Sequence, residues 1–425
     1  MIYNEITGGV AAPQGFTAAG VYCGVKRAGY PTNTVTSAAI VANEILQLEH
    51  KPDLALISCS VPCSAAAVFT QNLVKGAPIV VCREHLAKSK ISAVVANSGN
   101  ANTCNADGVA KARAMCDITA KTLGIAPESV LVASTGVIGQ IIPLEPFEPG
   151  IPAAAAKLGK DGTPAARAIM TTDPVDKQVT LEFELDGRTV RMGAMSKGSG
   201  MIHPNMATML AFVTTDAAVS PAMLDTARRS AAGDSFNMLS VDGDTSTNDT
   251  LCVLASGLAG NSEITAEGAS YDIFAGALKY ICVALAKKMA RDGEGATRLI
   301  ECSLTGAKDD ANARIAAKAV ICSPLVKAAM FGCDANWGRV LCALGYSGAD
   351  TDVEKIDVSF VSANGRVSVC EMGAGVPFSE EDAKKVLTAD EVTIEVVMRD
   401  GTAAATAWGC DLTYDYVKIN GDYRT

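Results

Sequence analysis

Lys197-Gly-Ser-Gly-Met-Ile-His-Pro-Asn-Met-Ala-Thr-Met-Leu210 lies almost at the midpoint of the 425-residue chain, and the other elements can be placed around it. The stretch opens on glycines, which let the backbone approach a ligand or another segment closely because they carry no Cβ. It then enters the apolar run Met209–Val213, which predicts a buried strand. A glycine loop that leads into a core strand is the ordinary interpretation of this pattern.

The peptide bond between Ala207 and Thr208 gives the same stretch a second interpretation. If this bond breaks, Thr208 gains a free α-amine beside its own hydroxyl, so that a base and a nucleophile lie on one residue. An unperturbed α-amine has a pKa near ~7.7–8.0, and a useful fraction of it is therefore neutral in the cytoplasm. Thr208 is thus a candidate catalytic nucleophile.

The composition is that of a well-buried globular protein, with 49% hydrophobic and 19% charged residues. A net charge of -10 disfavours nucleic acid and anionic membranes as partners. The fourteen cysteines are scattered through apolar runs, which favours a reducing cytoplasm over secretion. The N-terminus has no basic start or apolar run of signal length, and no uninterrupted apolar segment reaches spanning length. We therefore expect a soluble cytoplasmic protein.

Many strands with helices between them predict an α/β (α+β) fold of layered mixed sheets. The clearest hairpin joins Val179–Leu185 to Thr189–Ala194 through the turn Asp186-Gly187. Other strands are predicted at Ala18–Cys23, Leu54–Ile57, Ala65–Phe69, Ile79–Val81, Ala93–Ala96, Thr250–Ala255, Arg298–Leu304, Ile356–Val361, Arg366–Cys370, Thr393–Met398 and Thr402–Leu412. Helices are predicted at Ser37–Glu49, Gly108–Leu123, Pro164–Met170, Pro221–Ala232, Tyr271–Arg291 and Asn312–Phe331.

A β-branched strand followed by a hydroxyl–glycine turn occurs at Val130-Leu-Val-Ala-Ser-Thr-Gly136. Backbone amides exposed at such a turn, beside a threonine hydroxyl, can stabilise a developing oxyanion. A strand that ends in an ordinary turn is the commoner meaning of the pattern.

The central stretch and its continuation Thr214-Thr-Asp-Ala217 resemble the self-cleavage signature of the ornithine acetyltransferase family. Members of this family move an acetyl group from N-acetylornithine to glutamate in the cyclic arginine pathway. Further segments that match the family are Gly8–Phe16, Asp242–Asp249, Asp292–Thr297, Asn336–Arg339 and Ile419–Thr425. The resemblance therefore extends from about residue 8 to the last residue. Residues 27–52 are longer than the corresponding family segment, which predicts an insertion.

The resemblance implies a role for each matching residue. Cleavage after Ala207 would give a first chain of residues 1–207 and a second chain, 208–425, that begins with the nucleophile Thr208. Thr135 and Gly136 would form the oxyanion hole, and acetyl transfer would follow a ping-pong course through an acetyl-threonine. The residues implied to bind substrate are Thr171 (or its neighbour Thr172), Lys197, Thr208, Glu294, Asn420 and Thr425.

The resemblance also implies partners. The two chains from one precursor would assemble as a heterotetramer of two α and two β chains, and no metal or cofactor would be needed. Whether acetyl-CoA serves as an additional acetyl donor is left open.

The C-terminal tail is predicted to belong to the site. A strand over Trp408–Val417 would anchor the tail, and a sharp turn at Gly421 would bring Asn420 and Thr425 towards one pocket.

Other functions fit less well. The acidic loop Asp242–Asp249 has glycine at its second position and no closing glutamate, unlike a calcium loop. Cys59 and Cys63 alone do not make a zinc site, and His203 would have to be recruited from a loop to assist a hydrolase. A self-cleaving aminopeptidase or amidohydrolase of related architecture is the nearest enzyme alternative. An uncleaved, non-enzymatic binding protein is the third class.

Overall fold

Two mixed β-sheets with helices packed against them form the protein in a computed structural model that describes residues 3–28, 51–203 and 209–422. The predicted α/β fold of layered mixed sheets is confirmed. The predicted helix Ser37–Glu49, the bond between Ala207 and Thr208, and Thr425 lie outside the described residues.

The strands are β1 (Asn4–Glu5), β2 (Phe16–Val21), β3 (Leu54–Phe69), β4 (Ile91–Asn97), β5 (Val130–Ser134), β6 (Lys177–Leu185), β7 (Arg188–Lys197), β8 (Leu210–Thr215), β9 (Thr250–Ala255), β10 (Leu299–Ala307), β11 (Asp357–Ser362), β12 (Gly365–Glu371), β13 (Ala374–Gly375), β14 (Glu391–Val397) and β15 (Ala403–Cys410). The helices are α1 (Val25–Ala28), α2 (Ala77–Lys88), α3 (Gly108–Leu123), α4 (Phe147–Ala155), α5 (Thr163–Ala168), α6 (Pro221–Gly233), α7 (Ala269–Arg291), α8 (Asp310–Cys322), α9 (Pro324–Phe331), α10 (Trp337–Gly345), α11 (Glu380–Leu387) and α12 (Tyr414–Asp422).

The larger sheet contains nine of the described strands in the order β1-β6-β7-β8-β9-β3-β4-β5, with β2 beside β3. Strand β8, which follows the central stretch, is antiparallel to β7 and parallel to β9. Its side chains alternate between two hydrophobic cores, with Leu210 and Phe212 in one and Ala211 and Val213 in the other. Burial on both faces explains why this segment is continuously apolar rather than alternating.

The smaller sheet contains six strands in the order β13-β12-β11-β14-β10-β15. All of them follow residue 298, whereas the larger sheet combines strands from both sides of Thr208. Strands β8 and β9 lie between β7 and β3, so the second half of the sequence is inserted into a sheet that the first half begins.

Among the described residues, one helix, α7, is long and apolar enough to cross a membrane by length and composition. It packs against β6, β7 and α6, and its buried residues include Phe274, Leu278, Ile281 and Leu285 at helical spacing. A core helix covered by a sheet on one side accounts for this composition.

One short prediction of secondary structure was wrong, and two predicted strands are continuous with each other. The predicted strand Ile79–Val81 lies in helix α2, which begins with Pro78 in its first turn, a position where the missing proline N–H costs nothing. A three-residue apolar run does not distinguish strand from helix. The predicted strands Leu54–Ile57 and Ala65–Phe69 are parts of the single strand β3.

The predicted helix Asn312–Phe331 is two helices, α8 and α9. Pro324 cannot donate a backbone hydrogen bond, so the first helix ends before it. Ser323 caps the second helix, because its hydroxyl accepts a hydrogen bond from the Val326 amide at 3.3 Å.

The predicted C-terminal strand is also wrong beyond Cys410. Residues Tyr414–Asp422 form helix α12, and Gly421 continues that helix instead of turning the chain. Asn420 is therefore presented from a helix.

Candidate active site

A cavity of about 320 Å³ lies where the ends of β5 and β7, the loop after α7, and helix α12 meet. Six of the predicted site residues line it: Thr135, Gly136, Thr171, Lys197, Glu294 and Asn420. Thr172 lines it as well, so both threonines remain candidates. A small recess beside this cavity is lined by Thr135, Lys197 and Met209, the residue that follows Thr208 in the chain.

Thr135 and Gly136 follow strand β5 and offer two hydrogen-bond donors. The Thr135 amide donates to the Asn97 carbonyl at 3.0 Å, so the Thr135 hydroxyl rather than this amide faces the cavity. No described residue accepts a hydrogen bond from the Gly136 amide. Gly136 has a φ of 129°, and a Cβ there would lie 2.4 Å from the carbonyl carbon of Gly99. A hydroxyl and an amide side by side suit an oxyanion, and this role stays a prediction.

Lys197 ends strand β7 and is buried, with 9% of its surface exposed. Its Nζ donates to Thr135 Oγ1 at 3.2 Å, which leaves the proton of that hydroxyl available to another acceptor. Burial lowers the pKa of Lys197, and the carboxylates of Asp173, Asp249 and Glu294 limit the shift.

Glu294 and Asn420 also line the cavity and contact each other. Asn420 Nδ2 donates to Glu294 Oε2 at 2.7 Å and to the Tyr416 carbonyl at 3.1 Å. A Cβ at Gly200 would lie 2.2 Å from Glu294 Oε2, so a glycine of the central stretch makes room for this carboxylate.

Asp242, the first residue of the acidic loop, holds the central stretch in place. Its carboxylate accepts hydrogen bonds from the amides of Met201 at 2.6 Å, Ile202 at 2.9 Å and Asp244 at 3.1 Å. Burial raises the pKa of Asp242. The Asp242 carboxylate oxygens, which would be ligands in a calcium loop, thus accept hydrogen bonds from backbone amides instead. Within residues 3–28, 51–203 and 209–422, no group of three or more His, Cys, Asp or Glu side chains is placed to hold a metal ion.

Two buried charges and one partly buried charge beside the cavity were not found from the sequence. Lys177 Nζ lies 2.7 Å from Asp173 Oδ1 and 2.5 Å from Asp292 Oδ2. Asp173 also accepts hydrogen bonds from the amides of Thr171 at 3.0 Å and Gly198 at 2.7 Å. Burial alone would raise the pKa of Asp173, but the nearby lysines hold it at about 2. We call Asp173, Lys177 and Asp292 the charge triad; no local motif in the sequence indicates that these residues meet.

The His203 ring contacts residues that do not line the cavity. Its Nδ1 lies 3.0 Å from Ser240 Oγ, and it is not among the residues that line the cavity. Burial lowers the pKa of His203 to about 4, so the ring is neutral at neutral pH. This arrangement does not favour a histidine-assisted hydrolase.

We expect His203 to make stability depend on pH between about 6.5 and about 4. Its pKa is lower in the folded state, so the unfolded chain takes up a proton first, and stability is lost as pH falls through this window. The free energy of unfolding, measured in urea at several pH values, should fall on acidification in the wild type and fall less in His203→Gln. Equal slopes for both proteins would contradict this assignment.

Layered mixed sheets around a small polar cavity, with buried charges at its wall, define an α/β enzyme that acts on a small molecule. The chain belongs to the ArgJ family, whose sequence model matches residues 37–425. Similar curated proteins include the arginine biosynthesis bifunctional protein ArgJ of Symbiobacterium thermophilum, 52% identical over 99% of both chains. ArgJ 1 of Clostridium acetobutylicum is 52% identical over 88% of this chain and 93% of its own.

Two solved structures are also similar to part of the chain. The arginine biosynthesis bifunctional protein of Bacillus halodurans is 47% identical, covers 50% of this chain and 98% of its own, and has a TM-score of 0.48. An ornithine acetyltransferase from Mycobacterium tuberculosis, complexed with ornithine, is 35% identical, covers 48% of this chain and all of its own, and has a TM-score of 0.41.

Proposed function

We propose that this protein is an acetyltransferase of arginine biosynthesis that moves the acetyl group of N-acetylornithine to glutamate through Thr208. The names of its full-length relatives place them in arginine biosynthesis and call them bifunctional. The main support for the proposal is that six candidate residues line one cavity, although they are spread along the sequence from Thr135 to Asn420.

The charges of the cavity support an amino-acid substrate. Lys197 supplies a buried ammonium that suits a carboxylate, and Glu294 supplies a carboxylate that suits an amine. Asp242 and Asp244 add further negative charge to the wall. A ligand with both an amine and a carboxylate offers each of these groups an opposite charge, whereas a purely apolar ligand offers neither.

The proposed reaction has two acetyl transfers. The α-amine of Thr208 takes the proton of its own hydroxyl, and Oγ forms a bond to the acetyl carbonyl carbon. Donors from Thr135 and Gly136 stabilise the oxyanion. The bond from the acetyl carbon to ornithine nitrogen then breaks, and ornithine leaves with the proton. The amine of glutamate attacks the acetyl-threonine in the same way, which restores the Thr208 hydroxyl.

Self-cleavage and assembly of the resulting chains would precede the reaction. We propose that the chain cuts itself after Ala207 and that two α and two β chains assemble together. Acetyl-CoA is a second candidate donor, consistent with the bifunctional names of the relatives. No cofactor takes part in the proposed transfer.

A donor and acceptor assay tests the proposal. Purified protein should transfer acetyl from N-acetylornithine to glutamate faster than it releases acetate to water, and acetyl-CoA should be tested as donor in parallel. Release of acetate to water without acetyl transfer to glutamate would favour the aminopeptidase or amidohydrolase alternative. An uncut chain without either activity would favour the binding protein.

Replacing Asn420 with alanine should weaken substrate binding. The change removes the donor that holds Glu294 at 2.7 Å, and hydrogen bonds to charged groups contribute enough to raise KM for N-acetylornithine about tenfold. Lys418→Ala is the matched control, because Lys418 lies on the same helix but lines a separate cavity of about 610 Å³. Steady-state kinetics should show a change in KM below about twofold for this control. Equal effects of the two variants would remove Asn420 from the site.

A further inference from the structure

The side-chain amide of Asn248 connects three segments beside the cavity. Asn248 is 6% exposed and lines both the cavity and the small recess. Its Nδ2 atom donates to the Ser134 carbonyl at 2.8 Å and to the Ala101 carbonyl. Its Oδ1 atom accepts hydrogen bonds from the hydroxyls of Thr103 and Thr247, each at 2.6 Å. All four hydrogen-bonding positions of the amide are therefore occupied. The two carbonyls also fix which side of the amide carries the nitrogen, because a carbonyl can only accept.

The peptide group between Ser134 and Thr135 is fixed at both ends. Its carbonyl, that of Ser134, accepts from Asn248, and its amide, that of Thr135, donates to the Asn97 carbonyl at 3.0 Å. A peptide group is planar, so hydrogen bonds at both ends determine its orientation. The backbone that leads into Gly136 therefore starts from a fixed position, and Asn248 supplies one of the two contacts that fix it.

The Gly136 amide, for which the described residues offer no acceptor, lies between two fixed peptide groups. The group before it is the one between Ser134 and Thr135. In the group after it, the Val137 amide donates to the Gly99 carbonyl at 3.3 Å. The direction of the Gly136 amide thus depends on hydrogen bonds that its neighbours make, since it makes none of its own within the described part of the chain.

Asn248 also lies close to the start of the strand pair that follows the central stretch. Two residues after it, Thr250 stands opposite Leu210 in the parallel pair of β8 and β9, and the Thr250 amide donates to the Met209 carbonyl at 2.7 Å. Asn248 belongs to the second half of the sequence, whereas the turn Thr135-Gly136 belongs to the first. One side chain therefore links this turn to the segment where β8 begins.

A glycine before helix α2 makes room for the Asn248 amide. A Cβ at Gly76 would lie 2.6 Å from both Nδ2 and Oδ1 of Asn248. The φ of Gly76 is -61°, which other residues adopt without strain, so backbone conformation does not require a glycine at this position. The Gly76 amide donates to the Thr247 carbonyl at 2.9 Å, which keeps the two segments in contact. The space at Gly76 is therefore occupied by the amide of Asn248.

We propose that Asn248 is a positioning residue for acetyl transfer, which sets the direction of the Gly136 amide by holding the Ser134 carbonyl. This inference rests on the proposed function. Asn248 forms no bond and moves no proton in the reaction. Without its amide, the peptide group between Ser134 and Thr135 loses one of its two contacts, and the Gly136 amide is no longer fixed. Stabilisation of an oxyanion depends on donors that are oriented before the reaction, so the loss should lower kcat and leave substrate affinity unchanged.

The direct test compares Asn248→Ala with a matched control, Asn261→Ala. Asn261 is 7% exposed and also binds backbone groups, accepting from the Ala218 amide at 2.8 Å and donating to the carbonyls of Ala218 at 3.2 Å and Ser262 at 2.8 Å. It does not line the cavity. Both variants leave buried backbone groups unpaired and should lose stability, but only Asn248→Ala should affect the reaction.

The measurement is steady-state acetyl transfer from N-acetylornithine to glutamate, with rates expressed per molecule cut after Ala207 on a denaturing gel. We expect Asn248→Ala to lower kcat at least about tenfold and to change KM less than about twofold. Asn261→Ala should keep kcat within about twofold of the wild-type value. A loss of kcat below about threefold in Asn248→Ala, an equal loss in Asn261→Ala, or a change in KM larger than the change in kcat would overturn the inference.

Gly76→Ala covers the case in which Asn248→Ala does not fold. The added methyl group displaces the Asn248 amide without changing its chemistry, so kcat should fall at least about threefold at unchanged KM. Gly345→Ala is its control, because a Cβ at Gly345 meets nothing within 4 Å. A kcat of Gly76→Ala equal to that of Gly345→Ala would then overturn the inference. If the wild-type protein transfers no acetyl group, the proposed function itself fails. If it does, and the variants at Asn248 and Gly76 keep its kcat, only the role of Asn248 fails.

Discussion

Thr208→Ala should remain a single chain of 425 residues and lose acetyl transfer by at least about 10⁴-fold. The substitution removes the proposed nucleophile, and without cleavage the α-amine that would serve as its base is never formed. Intact-mass measurement should find one species in place of fragments 1–207 and 208–425. A transfer assay with N-acetylornithine and glutamate should find no product above background.

Two further variants sharpen this test. Thr208→Ser keeps an Oγ and should still cleave and transfer at a reduced rate. Thr305→Ala changes an exposed threonine on β10 and should behave like the wild type. Efficient cutting of Thr208→Ala at the same bond would show that another group attacks Ala207.

Lys177→Met should strongly destabilise the folded protein. The Lys177 side chain is 1% exposed and lies between Asp173 and Asp292, so its removal leaves one buried and one partly buried carboxyl without their cation. We expect the free energy of unfolding to fall by about 3–5 kcal/mol. The measurement is best made by urea unfolding in a Thr208→Ala chain, so that fragment dissociation does not complicate the transition.

Lys279→Met provides the comparison for Lys177→Met. Lys279 also pairs with an aspartate, Asp234 at 2.7 Å, but it is 53% exposed. Solvent screens such a pair, and its loss should cost less than about 1 kcal/mol. If the two variants had the same free energy of unfolding, the charge triad would not contribute more to stability than an exposed ion pair.

Much of the fold could be predicted because strong local patterns coincide with the final structure. The hairpin of β6 and β7, helix α3 and strand β9 are evident from alternation, helical periodicity and turn residues. The errors in predicted secondary structure arose where the local sequence pattern does not distinguish a helix from a strand. Ile79–Val81 is too short to show a period, and the aromatic residues of the C-terminus favour a strand although they form α12.

The site could be predicted only as separate residues. Resemblance to a family selected Lys197, Glu294 and Asn420, but the sequence does not reveal that they surround one cavity. The charge triad depends on contacts between residues more than one hundred positions apart, such as Lys177 and Asp292. Asp249 lies in a loop whose residue types invite comparison with a calcium site, and its burial becomes evident only when β9 is placed beside β8.

The position of β8 and β9 between β7 and β3 has a consequence for the lifetime of the enzyme. A molecule cut after Ala207 would stay joined along two strand ladders, yet neither fragment would contain all neighbours of its own strands. After denaturation, the two fragments would have to associate again, so the yield of refolded protein would depend on the fragment concentration. The uncut chain, in contrast, can refold as a single molecule. Such a molecule would fold once, before cutting. Its persistence would then be governed by its unfolding rate and its thermal history instead of by a reversible equilibrium.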